Sequence, residues 1–152
     1  MRVDVLTDAV AFDSLRDEWD QLLAHSATDT PFLTLAWQAA SWGALGEGAL
    51  RIITVRDGDG RLLGIAPLCL DAPPGGLRTL SLTGGVEVSD YLDFIVERGA
   101  EEAVYQAVGE TLARMAGEWD QLLLRNIPQA SPTVPRLAAF ARAQGWRVDE
   151  AV

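Results

Sequence analysis

The chain has 152 residues, 49% of them hydrophobic, and a formal net charge of −10 from 22 acidic and 12 basic residues. That is enough chain for one domain, 1–152, with a sizeable core, and it is too apolar for disorder. Every basic residue is Arg, and the Arg residues are scattered, so duplex nucleic acid is a poor partner and Schiff-base chemistry has no lysine to start from.

Cys69 is the only cysteine and His25 the only histidine. An intrachain disulfide, a thiolate cluster and an ordinary structural zinc site are therefore excluded, and no metal is expected. No apolar run approaches the ~18 residues that cross a bilayer. The first residues, Met1-Arg2-Val3-Asp4-Val5, alternate and carry acid, unlike a signal peptide. A cytoplasmic protein without membrane contact is the expectation.

Residues 2–7 read as a short strand. Phe12, Leu15, Trp19, Leu22 and Leu23 then mark one apolar helix face, with Asp8 or Asp13 as cap and His25 near the C-terminal end. A second helix is predicted from about Thr34, its cap, to Leu45, with Trp37 and Trp42 on its flank. Leu50 to Val55 and Leu62 to Leu70 form a hairpin around Asp57-Gly58-Asp59-Gly60, since Asp-Gly supplies the positive φ of tight turns. Pro67 cannot donate to a ladder and marks an edge or a bulge. Cys69 reads as a small core residue.

Leu77 to Leu82 is a further strand, broken by Thr83-Gly84-Gly85. The stretch Ser89-Asp90-Tyr91-Leu92-Asp93-Phe94-Ile95-Val96 reads as a strand leading through Glu97-Arg98-Gly99-Ala100 into a long helix ending near Ala116. Such a strand end, followed by a helix N-terminus with unsatisfied N–H groups, is where an α/β sheet gathers anionic ligands. Gln121 to Leu124 reads as a buried strand, Ser131-Pro132 as the start of a last helix, and Trp146-Arg147-Val148 as the start of a final strand. The antiparallel hairpin and the later strand–helix–strand units predict a mixed, twisted α/β sheet with helices on both faces.

The sequence resembles the GNAT acyltransferase superfamily, and most nearly the lobes of bacterial acetyltransferases associated with cellulose and exopolysaccharide biosynthesis. The resemblance rests on Phe12-Asp13-Ser14-Leu15-Arg16-Asp17-Glu18-Trp19, Pro31-Phe32-Leu33-Thr34, Leu63-Gly64-Ile65-Ala66-Pro67-Leu68, Ser89-Asp90-Tyr91-Leu92-Asp93-Phe94, Trp119-Asp120 and Gly145-Trp146. It implies a GNAT-like fold and acyl transfer from acetyl-CoA or another acyl-CoA to an amine. The cofactor would lie between two splayed parallel strands, with its pyrophosphate on amides at the following helix start.

The superfamily motif there, Arg/Gln-x-x-Gly-x-Gly/Ala, is met by Arg98-Gly99-Ala100-Glu101-Glu102-Ala103 only at its ends. Arg98, Gly99 and Ala100 become the candidate cofactor residues. Glu101 replaces the middle glycine beside Glu102, and each acid would repel a pyrophosphate by on the order of a kcal/mol or more. Acyl transfer also needs a base and an acid. Asp93, mid-strand and expected to be buried, is the candidate base. Tyr91, expected on the same face, is the proton donor, and Glu87 and Asp90 are candidates to hold a cationic amine.

Members of the resembled group often carry two lobes, with the cofactor in the second. The degenerate loop matches a non-catalytic first lobe that pairs with a second lobe or another copy and shapes a substrate groove. The chain stops where a complete sheet of this kind would continue, which would leave an exposed edge for such pairing.

Overall fold

Alternation and turn chemistry build a six-stranded sheet, seen in a computed structural model that describes residues 1–85 and 87–150. In chain order the elements are β1 (Arg2–Leu6), α1 (Val10–Ser14), α2 (Arg16–Ala24), a 3-10 turn (Pro31–Leu33), α3 (Leu35–Leu45), β2 (Ala49–Arg56) and β3 (Leu62–Asp71). They continue with β4 (Thr79–Leu82), β5 (Ile95–Val96), α4 (Glu101–Arg114), β6 (Gln121–Leu123) and α5 (Thr133–Ala143). The sheet order is β1-β2-β3-β4-β6, with β5 paired to β3. All pairs are antiparallel except β4 with β6. The fold is thus the mixed α/β sheet that the element order predicts.

The two sheet faces follow from the parity of β3. Gly64 lies against Val104 of α4, so even-numbered positions face α4. Cys69 and Asp71 lie on the opposite face, beside Trp42 of α3. The core runs between the layers and includes Trp19, Ile52, Ile53, Leu68, Leu80 and Phe94. Two polar ties hold its margins. Trp19 Nε1 donates to the Leu33 carbonyl at 2.8 Å. Arg78, just before β4, pairs with Asp120, just before β6, at 3.0 Å, and its guanidinium holds that carboxyl down to about 2.

Helix boundaries fall close to those predicted. The first helix is broken at Leu15, and Asp8 receives the Val10 N–H at 2.9 Å. Thr34 caps α3, its hydroxyl accepting from Trp37 N at 3.3 Å. The expected long helix is α4, with Val104, Val108, Thr111 and Leu112 buried.

Four strand expectations change. Pro67 is not on an edge. β3 pairs with β2 along one side and with β4 and then β5 along the other, and Pro67 sits at the break between those two partners. Its carbonyl accepts from Thr83 N at 2.8 Å, so its missing N–H falls where the neighbouring strand has looped out. The stretch 89–96 contributes only Ile95–Val96 as strand, because the described residues 83–85 and 87–94 lie outside any strand. Leu68 faces Leu82 and Ile65 faces Ile95, so three steps on β3 are met by thirteen opposite, ten more than a continuous ladder needs.

Gln121–Leu123 is the sheet margin rather than a buried strand, with Leu123 38% exposed. Trp146–Val148 forms no strand. Gly145 turns the chain at φ +81°, Trp146 N donates to the Ala141 carbonyl at 2.9 Å, and the indole packs edge-on against Trp119 and Phe140. Among the described residues, no helix is long and apolar enough to cross a membrane.

Candidate functional site

The β5–α4 junction brings Arg98, Gly99 and Ala100 into one turn, with Gly99 at φ +91°. A helix start here could offer several N–H donors to an anion. The three amides leading into that helix start are already spent. Arg98 N donates to the His25 carbonyl at 3.0 Å, which ties the turn to the end of α2. Ala100 N donates to the Glu97 carbonyl at 3.0 Å. Gly99 N donates to Oε2 of Glu101 at 2.8 Å. The residue that replaces the expected glycine therefore places its own carboxylate on the amide of a candidate cofactor residue. The amides of Arg98, Gly99 and Ala100, the candidate cofactor residues, are thus not open to a pyrophosphate.

On the other side of this turn, the space between the segment before β5, α4 and α5 is filled. Asp93 is fully buried. Its Oδ1 accepts from Phe94 N at 2.7 Å and from the Thr133 hydroxyl at 2.5 Å. Thr133, at the start of α5 and also fully buried, accepts in turn from the Tyr105 hydroxyl of α4 at 2.5 Å, since its own proton is given to Asp93. One connected set of side chains thus pins α4, α5 and the segment before β5. Tyr105 also stacks on Phe94, with ring centroids 6.2 Å apart. The space left between Phe94, Glu101, Tyr105 and Pro132 is about 10 Å³, about the room one water needs.

Burial drives the electrostatics of this set. It pushes the Asp93 carboxyl above the ordinary carboxylate range, against the opposing pull of Ser131, Thr133 and the Phe94 amide. Oδ2 is buried without a partner in bonding geometry, the Ser131 hydroxyl acting on the carboxyl without closing a well-directed bond. Burial likewise raises the Tyr105 hydroxyl.

Tyr91, Glu87 and Asp90 do not join Asp93. All three are exposed on the loop between β4 and β5, Tyr91 by 52%. The strand on which Tyr91 and Asp93 would have shared a face is not formed, so the two side chains lie in different environments. The loop is held by Ser89, whose hydroxyl donates to the Gly84 carbonyl at 2.5 Å and accepts from Trp37 Nε1 at 2.8 Å. Leu92 N donates to the Asn126 carbonyl at 3.0 Å, and Asn126 Nδ2 donates to the Ser89 carbonyl at 2.9 Å. The backbone beyond β4 and that beyond β6 are thus laced together by the protein itself.

Sequence reading missed Thr133 and Tyr105 as partners of Asp93. Tyr105 lies on the buried face of α4, but nothing in its spacing identifies a hydroxyl forty residues from an aspartate as its neighbour. Among the described residues, no group of three or more His, Cys, Asp or Glu side chains is placed to hold a metal ion.

No protein-family model matches the sequence, and no curated protein matches it significantly. Solved structures do match. A protein of Agrobacterium tumefaciens str. C58 aligns over 100% of this chain and 96% of its own, at 13% identity and a TM-score of 0.53. A protein of Clostridium difficile 630 aligns over 100% and 95%, at 7% identity and a TM-score of 0.52. Both carry provisional assignments as acetyltransferases. At these identities the likeness concerns the fold: the chain has the GNAT-like acetyltransferase fold.

Proposed function

We propose that this chain is a GNAT-superfamily lobe that does not hold acyl-CoA and acts instead as an interaction or substrate-shaping module. In this reading it is a single-domain cytoplasmic protein working beside a second lobe or another copy of itself. The observation that carries the reading is the Glu101 carboxylate on the Gly99 amide, an internal anion at the place where the fold would take an external one. The filled space around Asp93, Thr133 and Tyr105 supports it from the other side of the same turn.

Isothermal titration with acetyl-CoA and longer acyl-CoAs at millimolar concentration tests it. The expected result is no heat of binding. A saturable heat would overturn the proposal and return the chain to the acyl-CoA-dependent enzymes. In that second reading Asp93 is the base, Tyr91 the proton donor, and Glu87 and Asp90 hold the amine. The raised Asp93 carboxyl favours it, while its burial away from those three residues weighs against it.

A further inference from the structure

On the face of the sheet opposite α4 lies a cleft of about 350 Å³, between the C-terminal half of α3 and strands β3, β4 and β6. It is separate from the Asp93 cluster and independent of how the turn at 97–101 is read. Gln121 and Leu123, two apart on β6, line its floor together, and Arg125, just past the end of β6, lines it too. Trp42 forms an aromatic wall. The volume falls within the range of small-ligand sites.

The charges around it are separated by sign. Asp71 stands beside Thr79, and Thr79 beside Gln121, so Asp71 marks one end of the cleft. Glu47 lines the cleft too, and the adjoining Gly48 touches the Leu70–Asp71 backbone, which puts it at the same end. Arg125 is four residues beyond Gln121, two past the end of β6, so an extended course sets it about 13 Å farther along and two strands to the side of Asp71. Eight of the twelve arginines are ion-paired among the described residues, and Arg125 is not one of them. In a chain with so large an excess of acid, a guanidinium left without a carboxylate beside a cleft is available to an external one. Glu47 and Asp71 are likewise without ion pairs among the described residues and available to an ammonium group.

We infer that this cleft binds a short zwitterionic peptide, its free amino terminus toward Glu47 and Asp71 and its free carboxylate on Arg125. Length sets the size. Three extended residues span about 10 Å, and the long Glu47 and Arg125 side chains at the two poles make up the remainder. A single amino acid would reach only one pole. Side chains of the peptide would lie against Trp42 and Leu123.

The test is titration of the whole chain with trialanine, followed by amide and indole resonances. Binding with a Kd of about 1 mM or tighter is expected, with shifts centred on Gln121, Leu123 and the Trp42 indole. N-acetyl-trialanine and trialanine amide should each bind about tenfold more weakly, the loss of one charge-assisted contact. Arg125→Ala should weaken trialanine by the same factor and leave the affinity for trialanine amide unchanged. Glu47→Gln with Asp71→Asn should do the converse, weakening trialanine but not its N-acetyl form. All three positions are exposed, so the unfolding midpoint should hold and separates lost binding from lost fold. No binding of trialanine at tens of millimolar, binding indifferent to Arg125→Ala, or cleft resonances that move with protein concentration alone (a second copy covering the face) would each overturn the assignment.

Discussion

The Glu101 carboxylate, on the first residue of α4, accepts the Gly99 N–H at 2.8 Å and so reaches back to the turn that precedes its helix. It satisfies the amide of the residue before the N-cap and sets a negative charge at the positive end of α4. Glu101→Ala removes both contributions and is expected to cost about 1 kcal/mol. Glu101→Gln keeps an acceptor and loses only the charge, so its cost should be smaller. Urea unfolding measures the two losses, and hydrogen exchange at the Gly99 amide should quicken in the Ala variant. Equal stability of wild type and Glu101→Ala would show that the contact contributes nothing.

Asp93 gives stability a pH dependence of opposite sign to that of a salt-bridged aspartate. Its folded carboxyl is raised by burial, so the folded chain holds the proton at pH values where the unfolded chain has released it. Its contribution is fully present below the ordinary aspartate value of about 4 and is lost as pH rises through the raised folded value. Asp93→Asn cannot ionise, and its amide leaves a donor poorly satisfied near Oδ2. The variant should therefore be less stable than wild type in acid and gain on it steadily toward neutral pH. Urea unfolding of both proteins across that range reads the difference, in which the other titrating groups largely cancel. A pH-independent difference would contradict the assignment of a raised Asp93.

These two residues also show what the sequence carried. The glutamate at the motif's glycine position was visible as a misfit, because charge and residue size are properties of a single position. Its role as an internal ligand for Gly99 was not, since that depends on the path of one turn. Asp93 was legible as a buried carboxyl from its apolar neighbours, but its pairing with Tyr91 assumed a strand continuous from 89 to 96. Ten additional residues loop out between Leu82 and Ile95, and no local propensity signals a ladder interrupted and then resumed on the same partner. The run at Gln121–Leu124 was misread for a related reason. Hydrophobicity alone does not distinguish a central strand from a marginal one, whereas the polar Gln121 and Arg125 at alternating positions were the available sign. Helices α3, α4 and α5 were placed closely because cap residues and a 3.6-residue period are local signals.

Thr133 is the hinge of the buried set, donating to Asp93 and accepting from Tyr105. Tyr105→Phe removes one neutral hydrogen bond and should cost about 1 kcal/mol. Thr133→Val leaves both the Asp93 oxygen and the Tyr105 hydroxyl without that partner in a buried site, and should cost about 2 kcal/mol or more. Because the two side chains share one bond, the double variant should be less destabilised than the sum of the singles by about 1 kcal/mol. Additive losses in chemical denaturation would show that the hydroxyls do not act together.

Gly109, inside α4, is buried beneath Phe140 of α5. A Cβ added there would stand 2.7 Å from the ring's Cγ. Alanine would improve helix propensity by about 1 kcal/mol, but it must displace a ring that Trp146 holds from another side at a centroid distance of 6.0 Å. Overpacking of this kind costs about 1–3 kcal/mol, so Gly109→Ala should be net destabilising, with the loss concentrated at the α4–α5 contact. Phe140→Leu makes room and should itself cost stability through lost packing. In the Phe140→Leu background Gly109→Ala should become neutral or stabilising, because only the propensity gain is left. Thermal or urea unfolding of the four proteins completes the cycle, and a Gly109→Ala effect of the same sign and size in both backgrounds would place the glycine's role elsewhere than against Phe140.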